Sequence, residues 1–324
     1  VSEPRISVVV PVQNRRALLR CLLDTLAAQT FTDYEVVVVD NGSVDGSGEE
    51  AIAAAAAGLP VRVVAGGGGT SGAARDAGVR AARSAYLAFT DSDCVVAPDW
   101  LERGVAALDA GADLVQGATR PVREVRPLER SVWVTREDGL YATCNMFVRR
   151  DAYDRAGGFE AGSERLLFRQ GSPGWSLGFG TDSLFGWRVK RGGRVVFLPE
   201  AVVEHHVFDP DVRDAMSRAW MVKGFPALVR EVPELRDTLL ERRILLGDGA
   251  RLWLYAAVLL LLRGRGWLAG AALTGWAALR LRASSARPAG RRELLSVAPV
   301  ELTADAVKAA ALVVGSIEAR TLVL

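Results

Sequence analysis

Two aspartates one residue apart, Asp91 and Asp93, stand in the segment Phe89-Thr90-Asp91-Ser92-Asp93-Cys94. Carboxylates at that spacing can approach one hard divalent cation, which prefers oxygen ligands and can bridge to the oxygens of a diphosphate. A solvated acidic turn has the same composition. Position favours the cation: the pair follows an apolar, strand-like run, Tyr86 to Thr90, so both carboxylates belong to a strand tip. A second cluster, Asp40-Asn41-Gly42-Ser43, follows the β-branched run Val36 to Val39. Its acid and amide groups can hydrogen-bond a nucleobase or ribose edge, or form an ordinary turn before a helix, the role that suits Asp45 just beyond. A third acid, Asp182, lies in Gly180-Thr181-Asp182-Ser183-Leu184-Phe185-Gly186-Trp187-Arg188 at the expected start of a helix. There a carboxylate is either a general base or a partner of the helix N-terminus. His205 and His206, the only histidines, follow an expected strand and can complete a metal shell or be structural.

These residues need a scaffold that brings them together. From residue 5 to about 97 the chain repeats a β-branched run, a polar or glycine-bearing tip and a helical stretch, the pattern of βα units on a parallel sheet. Strands are expected at Ile6 to Val12, Val36 to Val39, Val61 to Ala65 and Tyr86 to Thr90, with helices over 15–28, 47–57, 72–83 and 98–110. Asn14, the 40–43 cluster, glycines 66–69 and the 91–93 acids then fall just past strand C-termini. Those ends form one rim in an open α/β sheet, where ligands bind. Further strands are expected at Asp113 to Gln116 and Arg194 to Leu198, and a helix over Asp182 to Arg191.

The chain has 324 residues, half of them hydrophobic, enough for one catalytic domain, 1–215, and a helical appendage, 216–324. Forty Lys and Arg against thirty-eight Asp and Glu leave a formal charge of +2, so no electrostatic case for nucleic-acid binding exists. Cys21, Cys94 and Cys144 form no CxxC pair, which points to a reducing, cytoplasmic setting and to three buried thiols. The first residues do not read as a signal peptide.

Two apolar runs, Leu252 to Leu262 and Trp267 to Leu279, are separated by Arg263-Gly264-Arg265-Gly266. Each is shorter than the roughly 20 residues that span a bilayer as a helix. The expected arrangement is a helical hairpin on the cytoplasmic face of a membrane, with Arg280, Arg282, Arg287, Arg291 and Arg292 meeting anionic headgroups. A buried helical pair, against the catalytic domain or a second subunit in a homodimer, fits the composition as well.

Taken in order, Ser7-Val8-Val9-Val10-Pro11-Val12-Gln13-Asn14-Arg15, Val39 to Gly46, Ser71 to Gly78, Asp91 to Asp93, Gly157-Gly158-Phe159 and Gly180 to Arg188 resemble the family 2 glycosyltransferases over about residues 5–210. The resemblance implies a GT-A fold, a Rossmann-like and mostly parallel sheet flanked by helices. It also implies a sugar-nucleotide donor, Mg²⁺ or Mn²⁺, and inversion at the anomeric carbon. On that likeness Pro11, Asn14, Asp40 and Asn41 line the nucleoside pocket, with Arg75 and Ser92 also on the donor. Asp91 contacts the ribose or the metal, Asp93 ligates the metal, His205 assists near the diphosphate, and Asp182 is the catalytic base. Uridine is the default base, and the acceptor is a sugar, a lipid-linked or a small-molecule hydroxyl. The chain departs from the family pattern at Thr181, where Glu is usual, and at Leu184, Asn41 and Asp76. Trp175, Phe179 and Trp187 flank the base and could stack on a sugar or lipid.

Other readings have weaker support. Gly67, Gly69 and Gly72 match GxGxxG, but after the third strand rather than the first, which disfavours a nicotinamide oxidoreductase. Gly174-Trp175-Ser176-Leu177-Gly178 resembles a hydrolase elbow but lacks the strand that must precede it. An inactive, nucleotide-binding assembly protein at a membrane surface is the non-enzymatic alternative.

Overall fold

The computed structural model describes residues 3–166, 179–247, 249–284 and 291–324. They form two units, one of residues up to 122 and 131–206, the other of 123–130 and 207–324.

The first unit is organised by β1 (Ile6–Val12), in which Ile6, Val8, Val9 and Val10 are fully buried. Burial on both faces explains an uninterrupted apolar run, the mark of a central parallel strand. β1 pairs in parallel with β2 (Tyr34–Asp40) and β4 (Tyr86–Phe89), and β2 with β3 (Val61–Ala65). Helices α1 (Arg16–Ala27), α2 (Ser47–Ala56) and α3 (Ser71–Ala81) follow these strands. α1 buries Leu19, Leu22, Leu23 and Leu26, one apolar stripe at helical spacing.

Beyond β4 the sheet is mixed. The order is β3-β2-β1-β4-β7-β6-β8-β5, with β5 (Cys94–Val96), β6 (Leu114–Pro121), β7 (Met146–Arg149) and β8 (Val195–His205). β7 runs antiparallel to β4 and β6, and β5 antiparallel to β8. The short β5 and β7 have no alternating or sustained apolar pattern, and sequence reasoning missed them. β8 continues past the expected end at Leu198 because its register against β6 shifts between Gly117 and Ala118. Residues Pro199 to Ala201 are thereby looped out, and the strand resumes at Val202 and ends at His205. α4 (Trp100–Asp109) and α6 (Thr181–Gly192) lie where expected, and α5 (Arg150–Ala156) follows β7.

One buried acid ties the sheet to α3. Glu35 accepts from the Ser7 hydroxyl at 2.7 Å and from the Arg83 amide at 2.8 Å, and pairs with Arg62 and Arg83 at 3.1 and 2.9 Å. Burial alone would push its carboxyl up, but these donors prevail and hold it below the usual range.

The second unit is helical: α7 (Val212–Met221), α8 (Phe225–Glu231), α9 (Leu235–Thr238), α10 (Ala250–Leu262), α11 (Gly266–Ser284) and α12 (Arg291–Ala319). The two apolar runs form α10 and α11, which pack together and reverse direction at Gly264, whose φ is +69°. Leu262 and Trp267 beside the turn are each 79 % exposed, and Trp253, Leu259 and Leu261 about half exposed. No helix among the described residues is long and apolar enough to cross a membrane. Cys94 and Cys144 are buried free thiols, but Cys21 is exposed because it stands on the outer side of α1, opposite the leucine stripe.

Candidate active site

The tips of β1, β2 and β4, the glycine loop after β3 and the start of α3 surround a cavity of about 700 Å³. Pro11, Asn41, Arg75, Asp91, Ser92 and Asp93 are on its wall, as the rim argument required. Gln13 and Arg15 are also there, and sequence reasoning did not single them out. Arg15 directly follows Asn14 at the strand tip, a cation in the right place, and that was the available signal.

Asn14 and Asp40 do not line this wall and instead fasten two loops. Asn14, with φ +52°, accepts from the Val44 amide at 2.8 Å, and its own amide donates to Ser43 Oγ at 3.1 Å. Asp40 accepts from the Ser43 amide at 2.8 Å. Asp45 accepts from the Ser47 amide at 3.0 Å at the head of α2, the capping role its position suggested. Asn41 stands differently: its amide donates to the Gly69 carbonyl at 2.9 Å, while its buried Oδ1 has no hydrogen-bond partner.

Asp93 is 8 % exposed; its Oδ2 accepts from Arg15 at 2.8 Å, and its Oδ1 is 3.5 Å from His205 Nε2. His205 reaches it because β8 ends there, paired in register with Cys94 of β5. His205 Nδ1 is 2.8 Å from the His206 carbonyl, which can only accept, so Nδ1 carries the proton. In the neutral ring the Nε2 lone pair then faces Asp93 Oδ1, an arrangement that suits a cation between them. Burial pushes the Asp93 carboxyl up and Asp91 adds to it, against the opposing pull of His205 and Arg15. A bound cation would relieve both causes.

The chemistry of the donor set fits. Asp93, Cys94 and His205 offer one ligand atom each, all within 4.8 Å of one another. Oxygen with imidazole nitrogen suits Mn²⁺ better than Mg²⁺, which favours oxygen alone. Cys94 is unanticipated in this group; burial pushes its thiol well above the usual range. Asp91 is not in the cluster; its Oδ1 accepts from Arg75 at 2.7 Å.

Arg75 joins Asp91 to the candidate base. It is 5 % exposed, with Nη2 on Asp91 and Nη1 3.7 Å from Asp182 Oδ1. Burial by itself would lower its pKa, but Asp91 and Asp182 together hold it above the ordinary value. Asp182, the second residue of α6, also accepts from Thr143 Oγ1 at 2.8 Å. Thr143 opens a short 3-10 turn, Thr143–Asn145, that carried no sequence signal.

Asp76, one of the departures from the pattern, has a structural place. It accepts from the Tyr153 hydroxyl and from the Phe159 and Glu160 amides at 2.9 and 3.1 Å, fixing the Gly157-Gly158-Phe159 turn. Trp187 is buried and donates to the Gly139 carbonyl at 2.9 Å, which makes it a packing residue. Trp175 and the Gly174 to Gly178 motif lie outside the described residues.

A mixed open sheet flanked by helices, with an aspartate pair at its rim and a donor-sized cavity above, defines a GT-A glycosyltransferase. The family model for glycosyl transferase family 2 matches residues 7–171, and the chain belongs to that family. It is 31% identical to the glycosyltransferase AglE of Haloferax volcanii over 220 residues, 59% of this chain and 72% of that protein. It is 34% identical over 100 residues to the uncharacterized glycosyltransferase EpsJ of Bacillus subtilis, 31% of this chain and 29% of that one. Among solved structures it is similar to the mannosyltransferase PcManGT of Pyrobaculum calidifontis, determined with GDP-Man and Mn²⁺. That match has a TM-score of 0.55 at 18% identity and covers 99% of this chain and 88% of the other, a likeness of fold.

Proposed function

We propose that this glycosyltransferase moves a sugar from a nucleoside-diphosphate donor, by default a uridine one, to an acceptor hydroxyl with inversion at the anomeric carbon. Residues 1–215 would carry the reaction, and the helical 216–324 would attach it to an anionic membrane surface on the cytoplasmic side. The acceptor would be a saccharide, a lipid-linked or a small-molecule hydroxyl. One observation carries the reading: Arg75 touches Asp91 and lies 3.7 Å from Asp182, so one carboxylate of the aspartate pair and the candidate base share one buried cation.

Asp93 and His205, with Asp91 beside them, would hold Mn²⁺ or Mg²⁺, which supplies positive charge against the departing diphosphate. Pro11, Asn41, Arg75 and Ser92 would line the donor, and the unpaired Asn41 Oδ1 would accept from a nucleobase N–H. Asn14 and Asp40 would act from behind, holding the 40–43 loop that presents Asn41. Asp182 would take the acceptor proton as the hydroxyl attacks. Arg75 and Thr143 would keep that carboxylate aimed.

Thermal melts of the full chain with nucleoside diphosphates, with and without Mn²⁺, test this. One base should raise the melting temperature in a metal-dependent way, and Asp93→Ala should remove the metal dependence. A shift indifferent to both metal and Asp93 would sink the assignment.

A further inference from the structure

A separate cavity of about 290 Å³ lies wholly within the second unit, between α7, α11, α12 and the segment at Leu128 and Glu129. Its volume is at the lower end for small-ligand sites, about 300 Å³. Arg218, Arg280 and Lys308 are on its wall, with Glu129, Glu301 and Asp305.

The wall itself carries three cations and three acids, and ion pairs join several of them to further charged residues off the wall. Asp305, 5 % exposed, is shared by Arg251 at 2.8 Å and Arg280 at 2.7 Å. Asp214 is likewise shared by Arg130 and Arg218, each at 3.0 Å. Glu129 is paired with Arg123 at 2.7 Å. Lys308 makes no hydrogen bond or ion pair among the described residues. With the Glu129 pair set aside, the wider cluster holds five cations (Arg218, Arg280 and Lys308 on the wall, Arg130 and Arg251 behind it) and three acids (Asp305 and Glu301 on the wall, Asp214 behind it), an excess of two charges among these residues. Burial holds the Lys308 ammonium below its ordinary pKa, and Arg251 adds repulsion. An anion in the cavity would offset that repulsion.

We propose that this cavity binds a phosphate group, held by Lys308, Arg218 and Arg280. A phosphate monoester carries about −1.5 to −2 at pH 7, which matches the excess, and guanidinium forks suit its oxygens. The same chemistry is offered by free phosphate and by a lipid headgroup. α10 and α11 supply Arg251 and Arg280 to this charge cluster while exposing Leu262 and Trp267 outside, so either source is compatible with the surroundings.

The test uses the full chain and its Lys308→Met and Lys308→Arg variants, melted in inorganic phosphate and in chloride at equal ionic strength. Phosphate should raise the wild-type and Lys308→Arg melting temperatures by about 2–4 °C more than that of Lys308→Met. In chloride, Lys308→Met should melt no lower than wild type, because it removes a desolvated and unpaired charge. An Asp93→Ala background should leave the Lys308-dependent part unchanged, which separates this site from the donor cavity. Vesicles of phosphatidylcholine with or without phosphatidic acid identify the source. Lys308-dependent sedimentation with phosphatidic acid marks a lipid headgroup, and a phosphate shift without it marks a soluble ligand. Equal phosphate shifts in wild type and Lys308→Met, together with vesicle binding indifferent to Lys308, would overturn the proposal.

Discussion

At the level of single residues, the candidate site is a set of carboxylates already matched to guanidinium groups: Asp93 to Arg15, Asp91 to Arg75, and Asp182 near the same Arg75. Without Arg75, Asp91 and Asp182 would lose the cation that lies between them. Asp182→Asn removes the proposed proton acceptor and keeps the shape. Turnover should fall by about 10²–10⁴-fold while calorimetric donor affinity stays within about threefold. Nearly unchanged turnover would exclude Asp182 as the base. The aspartates were legible because a strand tip announces its polar residues by contrast with the apolar run before them. Thr143 and Cys94 were not, since their roles arise from β5, β7 and β8 meeting in space.

At the level of elements, α3 delivers Arg75, and its seating depends on Gly78. A Cβ there would lie 2.4 Å from Val9 Cγ1 and 2.9 Å from Val39 Cγ2, side chains of β1 and β2. Gly78→Ala should therefore lift the helix, cost about 1–3 kcal/mol in denaturant melts and weaken donor binding in step. If stability drops and donor affinity does not, α3 is not the positioning element. Glu35 provides a pH signature on the neighbouring strand. Because its folded pKa is depressed, its stabilisation is present above the unfolded carboxylate pKa and lost as pH falls through the folded value. Glu35→Gln should cost about 1–3 kcal/mol at neutral pH, and the gap to wild type should narrow in acid; a gap constant with pH would refute this.

For the molecule as a whole, the α10 and α11 hairpin presents apolar side chains that a soluble surface rarely gathers in one place. The double variant Leu262→Glu, Trp267→Glu changes two highly exposed positions, so its melting temperature should match wild type. Its sedimentation with anionic vesicles should be lost. A variant that still binds vesicles but loses a dimer in ultracentrifugation would assign the hairpin to a second copy instead. The apolar runs were visible at once, since helical length and composition are local properties. Their partners were not, because Asp305, which accepts from Arg251, Arg280 and Trp276, stands far along the chain on α12.

Local pattern was enough for the parallel half of the sheet, for the helices that follow its strands and for the rim where the aspartates gather. Period, burial and strand-end polarity all act over a few residues, and neighbours in sequence suffice to express them. The mixed half of the sheet, the arrival of His205 opposite Asp93 and the bridge made by Arg75 came only with the fold. Each depends on a pairing of segments tens of residues apart, governed by register and close packing rather than by any run of side chains.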